Sequence, residues 1–455
     1  MSRTGLLTFL ILLGLVAGAL VGEYVLYEGV AGALADHWTR TAGEIILIRP
    51  LKLLIIPVVL ISVVVGVTSI GNPSRLGVVG GSTILYYLVT MLIAVTIGAS
   101  LVTWIRPGDM PPDAQAQLTE SAAQRFAESG IDETIASVQE DERTTLSRAF
   151  FEVVKQLIPE NIFTEMAADR TLGIIVFSLL LGLALAAGGE KTRPAVAFFE
   201  GMFDALMRLV HWVIWLTPPG VFLLVAWTVG NLGFANLIGP IGKYLAVVLI
   251  GLALHGLIVL PLFVLVLGRT NPLVFLYRMR RALMTAFGTD SSSATLPVTI
   301  EVAETEGGCS KRAANFVLPL GSTINMDGTA LYEAVAVVFL FQLYGIDLGL
   351  GHLLIVVITA TLAAIGAAGI PSAGLVMMVI VINAVNTSLA GTGKELPLEA
   401  IGVIIGVDRI VDMCRTTVNV WGDAVGAKII TRLAPDPRPP DPRTPDEHDR
   451  EKALA

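Results

Sequence analysis

Cysteine and histidine are scarce in this chain of 455 residues, and their scarcity excludes several kinds of site. There are two cysteines, Cys309 and Cys414, and five scattered histidines. One cysteine lies near a basic loop and the other lies in an apolar segment, so neither a disulfide nor a four-ligand metal site is expected. The serines at 291–293 have no histidine or lysine nearby in the sequence, which argues against a hydrolase and leaves no candidate enzyme chemistry.

Charged residues are also few. They make up 15% of the chain, whereas 54% of residues are hydrophobic and the mean hydropathy is +0.75. This composition predicts an all-α polytopic membrane protein. The net charge of -8 arises from two polar segments and does not indicate a nucleic acid partner. Six charge-free runs are each long enough to span a bilayer as a helix: Thr4 to Gly22, Leu53 to Asn72, Leu76 to Ile105, Thr171 to Gly189, Leu209 to Gly242 and Tyr244 to Gly268.

The polar segments and the basic residues predict the orientation of the chain. Residues 107–148 carry nine acidic and three basic residues and predict an exposed helix or loop outside the membrane. Residues 433–455 combine repeated proline with charge and predict a disordered tail. The first apolar run predicts a retained anchor rather than a cleaved signal peptide. Because basic residues flank alternate spans, both termini are expected in the cytoplasm and the protein in the cytoplasmic membrane.

One helical face near the C-terminus concentrates polar residues within an apolar stretch. Asp408, Asp412, Arg415, Asn419 and Asp423 are spaced four, three, four and four residues apart. At about 100° of turn per residue, their side chains fall within an arc of roughly 80°. A charge at the bilayer centre is costly, so this polar stripe must face protein, water, ions or a charged solute. The stripe therefore predicts a transport site.

Two hydrophobic segments are interrupted by small residues at their centres. Residues 288–297 read GTDSSSATLP, and residues 366–374 read GAAGIPSAG. Each predicts the tip of a helical hairpin that enters and leaves on one side of the membrane. A glycine-kinked packing helix is the alternative, and it fits either motif alone better than it fits both. Paired interruptions in the two halves of a chain are typical of a transporter's binding site.

Residues 321–333, GSTINMDGTALYE, lie between the two interruptions. Asn325, Asp327 and Thr329 offer the oxygen ligands that hard cations such as sodium prefer. Glu333 lies one turn beyond Thr329, and a carboxyl group in apolar surroundings favours its neutral form. Glu333 is therefore a candidate proton carrier. The alternative is a salt bridge within the helical bundle.

Four motifs together resemble those of a known family. SSSATLP, NMDGTALYE, AAGIPSAG and DMCRTTVNVWGD resemble the signature motifs of the dicarboxylate/amino acid:cation symporter family, whose animal members are the excitatory amino acid transporters. The likeness covers nearly the whole membrane region. It implies eight transmembrane helices plus two re-entrant helical hairpins, inverted repeats and a homotrimer. It also implies that a mobile transport domain moves like an elevator against a fixed scaffold.

The resemblance also implies domain boundaries. The order is scaffold helices 1 and 2 (1–75), transport-domain helix 3 (76–106), the acidic insertion (107–148), scaffold helices 4 and 5 (149–240), the remaining transport domain (241–432) and the cytoplasmic tail (433–455). The long transport-domain part would contain helix 6, one hairpin at about 271–306, helix 7, a second hairpin at about 351–393, and helix 8.

For the substrate, the resemblance implies glutamate or aspartate. Arg415 matches the arginine that binds the side-chain carboxylate, and a guanidinium fork suits bidentate carboxylate recognition. Asp412 matches the acid that binds the α-amino group, which a C4-dicarboxylate such as succinate, fumarate or malate lacks. Because the family includes dicarboxylate carriers, that substrate class remains the alternative. Other expected substrate contacts or closing residues are Thr329, Asn419, Thr416, Ser291, Ser292, Ile370 and Gly374.

For the coupling ions, the resemblance implies sodium, protons or both, with no resident cofactor. Glu333 matches the proton-carrying glutamate of proton-coupled members. The expected sodium ligands are Gly321, Asn325, Asn419 and Asp423 at one site, Thr323, Met326 and the backbone of 364–367 at a second, and Tyr87, Thr90, Asn325 and Asp327 at a third. The third site has Met91 where the family has a hydroxyl, and a thioether is a poor ligand for a hard ion. An anion channel is a further alternative function.

Asp290 departs from the family pattern. The family has an arginine either just before the serine run or two residues before the position of Arg415, where this chain has Asp290 and Met413. We predict that Asp290 caps the helix that begins at the serine run. The alternative is that Asp290 pairs with Arg415 in the absence of substrate.

Overall fold

The computed structural model describes residues 3–27, 34, 37–70, 73–112, 160–168, 171–232, 241–366, 373–390 and 393–435, together with six positions between 115 and 126. Within these ranges all regular structure is helical and no strand occurs. The helices are α1 Arg3–Val21, α2 Trp38–Gly43, α3 Arg49–Ile70, α4 Pro73–Ile105, α5 Ile162–Ala167, α6 Thr171–Ala187, α7 Arg193–Val213, α8 Thr217–Leu232, α9 Gly242–Leu254, α10 Leu260–Val266, α11 Pro272–Thr289, α12 Ser292–Thr305, α13 Lys311–Ile324, α14 Asp327–Leu343, α15 Leu350–Gly366, α16 Ala373–Leu389 and α17 Gly402–Ile430. Single π-helical turns at Gly22–Leu26, Glu44–Ile48 and His255–Val259 extend α-helices or join them into continuous helical segments.

The described part contains six helical segments that are long and apolar enough to cross a membrane. They are Phe9–Leu26, Trp38–Thr68, Gly77–Ile105, Arg193–Gly230, Gly242–Val266 and Lys311–Leu343. These segments confirm a polytopic membrane protein. Three shorter apolar helices accompany them: Gly173–Ala187, Leu350–Ile365 and Met377–Leu389.

The predicted start of one span is wrong. The second was expected to begin at Leu53, but its helical segment begins at Trp38. Arg40 and Glu44 lie one turn apart on its exposed face and form an ion pair of 3.1 Å. A rule that requires charge-free runs therefore leaves out the first turns of this helical segment. The run from 171 to 189 contains the apolar helix α6 of 17 residues, and its prediction as a span stays a prediction.

The buried apolar side chains form two cores that meet at α17. The first core joins α1, α3, α6, α7 and α8 to α10–α13 and the C-terminal half of α17. The second core joins α4, α9, α14, α15 and α16 to the N-terminal half of α17. Every residue of α14 is buried, as expected for a helix that is apolar on nearly all sides. The polar residues of α14 and α17 are therefore enclosed between the two cores.

The two interrupted segments each form a pair of helices that pack against each other. In the first pair, α11 and α12 are separated only by Asp290 and Ser291, and their limits agree with the range predicted for a hairpin, 271–306. In the second pair, α15 and α16 agree with the predicted range 351–393 to within a few residues. The connection between α15 and α16, residues 367–372, lies outside the described residues.

The acidic insertion is not wholly exposed. Most of residues 107–148 lies outside the described residues, but Leu118 and Ala122 are buried in the second core. Phe126 packs against the same core. These residues recur every four positions and therefore lie on one side of a helical turn, which explains how an acidic segment presents an apolar face.

The predicted disordered tail begins too early. Residues 436–455 lie outside the described residues, but Ala434 is buried. Its carbonyl oxygen accepts a hydrogen bond of 2.6 Å from the Ser310 hydroxyl. The packed chain thus continues past residue 433, because Ser310, the residue that caps the start of α13, holds Ala434 in place.

Candidate functional site

The polar stripe of α17 is buried inside the protein. Asp408, Asp412, Arg415, Asn419 and Asp423 each expose no more than 3% of their surface. In the middle of the stripe, Arg415 Nε donates to Asp412 Oδ1 at 2.5 Å. Burial of this many polar groups is costly unless each has a partner, so the neighbours of the stripe define the candidate site.

Arg415 has an incomplete set of partners. Its guanidinium carbon lies 4.6 Å from the centroid of the Tyr332 ring, in a cation–π contact. Its Nη1 is buried and has no hydrogen-bond partner among the described residues. Gly374 on α16 packs closely against the guanidinium, so an added Cβ there would require Arg415 to shift. A buried cationic donor without a protein acceptor is suited to bind an anionic group.

One other predicted substrate residue contacts Asp412, and two more are buried near the turn between α11 and α12. The Thr416 hydroxyl lies 3.4 Å from Asp412 Oδ1 and donates to it. Ser291 and Ser292 are buried between α11 and α12, where the Ser291 hydroxyl accepts a hydrogen bond of 3.1 Å from the Ala294 amide. Ile370 lies outside the described residues.

Tyr332 was missed by the sequence reasoning, although it lies within the motif NMDGTALYE. Its hydroxyl donates to Asp408 Oδ1 at 2.7 Å, and its ring lies under Arg415. Tyr332 therefore links the end of the stripe to its centre, and Asp408, which had no assigned role, holds the phenol in place. The signal was an aromatic residue with a hydroxyl group directly before Glu333, since a buried tyrosine hydroxyl usually has a hydrogen-bond partner.

Asn419 lies at the point where the chain unwinds between α13 and α14. Its amide nitrogen donates to the Thr329 hydroxyl at 3.1 Å and to Met326 Sδ at 3.3 Å. Its amide oxygen accepts from the Gly328 backbone N–H at 2.7 Å. Asn325 and Met326 have non-helical backbone angles there, so the structure brings Asn419 together with the unwound motif as predicted.

The residues predicted for the first cation site lie together. Asn325 Nδ2 donates to Asp423 Oδ1 at 2.9 Å. Gly321 lies against the same carboxylate, and an added Cβ would collide with Asp423 Oδ1. These groups provide a carboxylate, an amide oxygen and nearby backbone, the oxygen ligands that a hard cation requires.

The residues predicted for the third site are only partly gathered. Thr90 donates to Asn325 Oδ1 at 3.4 Å, so Thr90 adjoins the first site. The Tyr87 hydroxyl instead donates to the Val317 carbonyl at 2.7 Å. Asp327 Oδ2 lies 3.0 Å from His255 Nε2, and both side chains are fully buried.

His255 was also missed. It had been set aside as one of five scattered histidines, yet it is the one histidine in the apolar run 244–268, which has no Asp, Glu, Lys or Arg. An ionisable group within a transmembrane segment is a functional candidate in its own right, and that rule would have identified His255. For the second cation site, the Thr323 hydroxyl donates to the Leu320 carbonyl at 3.0 Å, and part of the predicted backbone ligand set lies outside the described residues.

Glu333 is fully buried on α14. Neither carboxyl oxygen has a hydrogen-bond partner, and no cation forms an ion pair with it among the described residues. The salt bridge considered as an alternative is therefore not present within the described part of the chain. Because an unpaired buried carboxylate is costly, this environment favours the neutral acid.

Both predicted roles of Asp290 are wrong. Ser291, not Asp290, caps α12, and Asp290 instead ends α11 in the left-handed conformation with φ 58°. Its carboxylate does not pair with Arg415 but lies 3.1 Å from Nη1 of Arg409. Asp290 cannot be the cap because its backbone lies one residue too early. Arg409 was missed because it follows directly after Asp408, at the edge of the polar stripe.

Comparison with known proteins identifies the family of the chain. Residues 7–433 match the family described as the sodium:dicarboxylate symporter family. The chain is 38% identical to human excitatory amino acid transporter 3, over 93% of this chain and 84% of that protein. It is 36% identical to the rabbit (Oryctolagus cuniculus) neutral amino acid transporter B(0), over 94% and 80%. It is 35% identical to a putative sodium-dependent excitatory amino acid transporter, glt-4, from Caenorhabditis elegans, over 96% and 91%.

The family match covers both cores, both helix pairs and all of the buried stripe. The family match and the transporters among the relatives show that the protein is a transporter and not an enzyme, and the chain belongs to the sodium:dicarboxylate symporter family.

Proposed function

We propose that the protein is a secondary active symporter that imports glutamate or aspartate together with sodium, protons or both. The observation that carries this proposal is the buried pair of Asp412 and Arg415 on adjacent turns of α17. An acidic amino acid has one ammonium group and two carboxylates. A site with one acid and one incompletely bonded guanidinium offers a complementary partner for each end.

Selection for an acidic substrate depends on Arg415. Its free Nη1 and its fixed position over Tyr332 preorganise the guanidinium for a side-chain carboxylate. Asp412 receives the ammonium group when substrate displaces its contact with Arg415. Thr329 and Asn419 line the neighbouring unwound segment and supply hydrogen bonds to the α-carboxylate. Excitatory amino acid transporters among the relatives agree with an acidic substrate, whereas the neutral amino acid transporter marks the class that Arg415 would exclude.

Sodium coupling fits the oxygen-rich group formed by Gly321, Asn325, Asn419 and Asp423. Asp423 provides the negative charge, and Asn325 already lies within hydrogen-bond distance of it. Bound sodium would replace the Asn325 N–H as the partner of the carboxylate, which requires the amide to turn its oxygen inward. The second and third sites retain their predicted ligands as proposals, namely Thr323 with Met326 and Tyr87 with Thr90 and Asp327.

Proton coupling fits Glu333. A fully buried acid without a cation can carry a proton through the membrane interior, provided that it loses the proton where water reaches it. Arg415 is a described cation whose charge acts on Glu333. The charge state of Glu333 and the substrate carboxylate therefore both affect Arg415.

Alternating access would follow the elevator scheme. The proposed scaffold is residues 1–75 and 149–240, and the proposed transport domain is residues 76–106 and 241–432, with re-entrant hairpins at α11–α12 and α15–α16. Within the family scheme this corresponds to eight transmembrane helices, inverted repeats and a homotrimer in the cytoplasmic membrane with both termini inside. Gly374 against Arg415 supports the role of the second pair as a lid, because α16 contacts the residue that would bind substrate.

Radiolabelled uptake into proteoliposomes tests the proposal. Sodium and proton gradients are imposed separately, and unlabelled aspartate, glutamate, succinate and serine compete with labelled aspartate. Strong competition by glutamate and weak competition by succinate and serine are expected. Competition by succinate alone would replace this proposal with the C4-dicarboxylate alternative, and competition by serine alone would remove the role of Arg415.

A further inference from the structure

Arg409 connects three parts of the protein. Its Nη1 lies 3.1 Å from Asp290 Oδ2, between α17 and the turn that joins α11 to α12. The Asp290 side chain is fully buried, and Arg409 is the one described cation within ion-pair distance of it. The guanidinium carbon of Arg409 also lies 5.7 Å from the ring centroid of Trp227 on α8. We call residues 290–293 the serine turn.

The ion pair between Arg409 and Asp290 influences the electrostatic field at the substrate site. In its ionised form, Asp290 interacts electrostatically with Arg409 and with three residues of the stripe, Asp412, Arg415 and Asp408, so its charge adds to that of two other acids. With Arg409 in place, the charge of Asp290 is offset beside the serine turn. Without Arg409, Arg415 is the remaining arginine that acts on Asp290, so an ionised Asp290 would offset the positive field of Arg415 in a buried region where screening by solvent is weak.

We propose that Arg409 is a positioning and specificity-determining residue for acidic substrates, acting through Asp290. Arg409 neutralises the acid beside the serine turn, so the positive field of Arg415 remains available to the substrate carboxylate. The same contact holds the serine turn against α17. This inference rests on the proposed acidic substrate, and it assigns to Arg409 a function that the stripe residues alone do not have.

The neighbouring cation–π contacts offer a matched control. Arg40 lies 5.1 Å from the same Trp227 ring, but it pairs with Glu44 at the protein surface and not with Asp290. A variant of Arg40 therefore removes a cation from Trp227 without changing the charge beside the serine turn. Asn is the conservative replacement for Asp290, because both residues tolerate the left-handed backbone found there.

The experiment measures labelled aspartate uptake into proteoliposomes for wild type, Arg409→Gln, Asp290→Asn, the double variant and Arg40→Gln. Arg409→Gln should raise the KM for aspartate about tenfold or more, because a buried acid loses its cation. Its maximal rate and the sodium concentration for half-maximal uptake should remain near wild type. The double variant should return to within about twofold of the wild-type KM, since both charges are then absent. Arg40→Gln should match wild type.

Three results would overturn the inference. An unchanged KM in Arg409→Gln would show that the pair does not influence substrate binding. A double variant as impaired as Arg409→Gln would show that Arg409 acts independently of Asp290. A similar loss in Trp227→Leu, without rescue by Asp290→Asn, would assign the effect to the contact with α8. Failure of the wild type to transport any acidic substrate would instead refute the proposed function, and the inference with it.

Discussion

Replacing Arg415 should convert the site from one that binds acidic amino acids to one that does not. Arg415 is buried, and Asp412 contacts it at 2.5 Å. Truncating one partner of a buried, hydrogen-bonded charge pair costs about 2 to 5 kcal/mol. At about 1.4 kcal/mol per tenfold change, Arg415→Cys should weaken apparent affinity for aspartate by roughly 30-fold to 4000-fold. Asp412 remains to bind an ammonium group, so uptake of a neutral amino acid such as serine should fall much less.

The assay compares labelled aspartate and serine uptake in the same proteoliposome preparations. Arg415→Lys is the matched control, because lysine keeps the charge but lacks the planar fork. It should give an aspartate KM between those of wild type and Arg415→Cys. Aspartate uptake by Arg415→Cys with an unchanged KM would refute the reasoning, since a carboxylate would then bind without the guanidinium.

Three other changes test separate parts of the site. Glu333→Gln should make uptake independent of an imposed pH gradient, because the neutral amide carries no proton; unchanged pH-driven uptake would leave Glu333 a structural residue. Asp423→Asn should raise the sodium concentration for half-maximal uptake by roughly tenfold or more, because the site loses its charge; an unaltered sodium response would place sodium elsewhere. Arg281 contacts Glu301 and Glu306 at 2.7 and 2.6 Å, so Arg281→Gln should lower stability by about 3 kcal/mol in thermal denaturation. A melting temperature equal to wild type would contradict that estimate.

The sequence predicted the membrane class and the main helix pairs because their signals are local. Glycine, serine and proline at 288–297 and 366–374 favour a break in a helix, and α11 and α15 end there while α12 and α16 begin there, although Pro297 lies inside α12. The stripe of α17 was predicted from spacing alone, since side chains four residues apart share one face. Burial of all five stripe residues confirms that their face is turned inward.

The contacts that were missed join residues far apart in the sequence. Tyr332 and Asp408 are separated by 76 positions, and His255 and Asp327 by 72. Asp290 was interpreted from its neighbour Ser291 alone, although its partner Arg409 lies on another helix. Helical spacing cannot predict which helices pack together, because that choice depends on the complementarity of whole faces. The family resemblance supplied roles for the shared motif positions but none for Arg409.

The central claim is that buried charges in α14 and α17 couple an acidic amino acid to a cation gradient. The most direct test is the accumulation of labelled aspartate in proteoliposomes with an inward sodium gradient, a proton gradient or neither. The account predicts accumulation above the external concentration under at least one gradient, and its loss when an ionophore dissipates that gradient. Aspartate that only equilibrates across the membrane, with the same extent under all three conditions, would contradict symport and favour a channel.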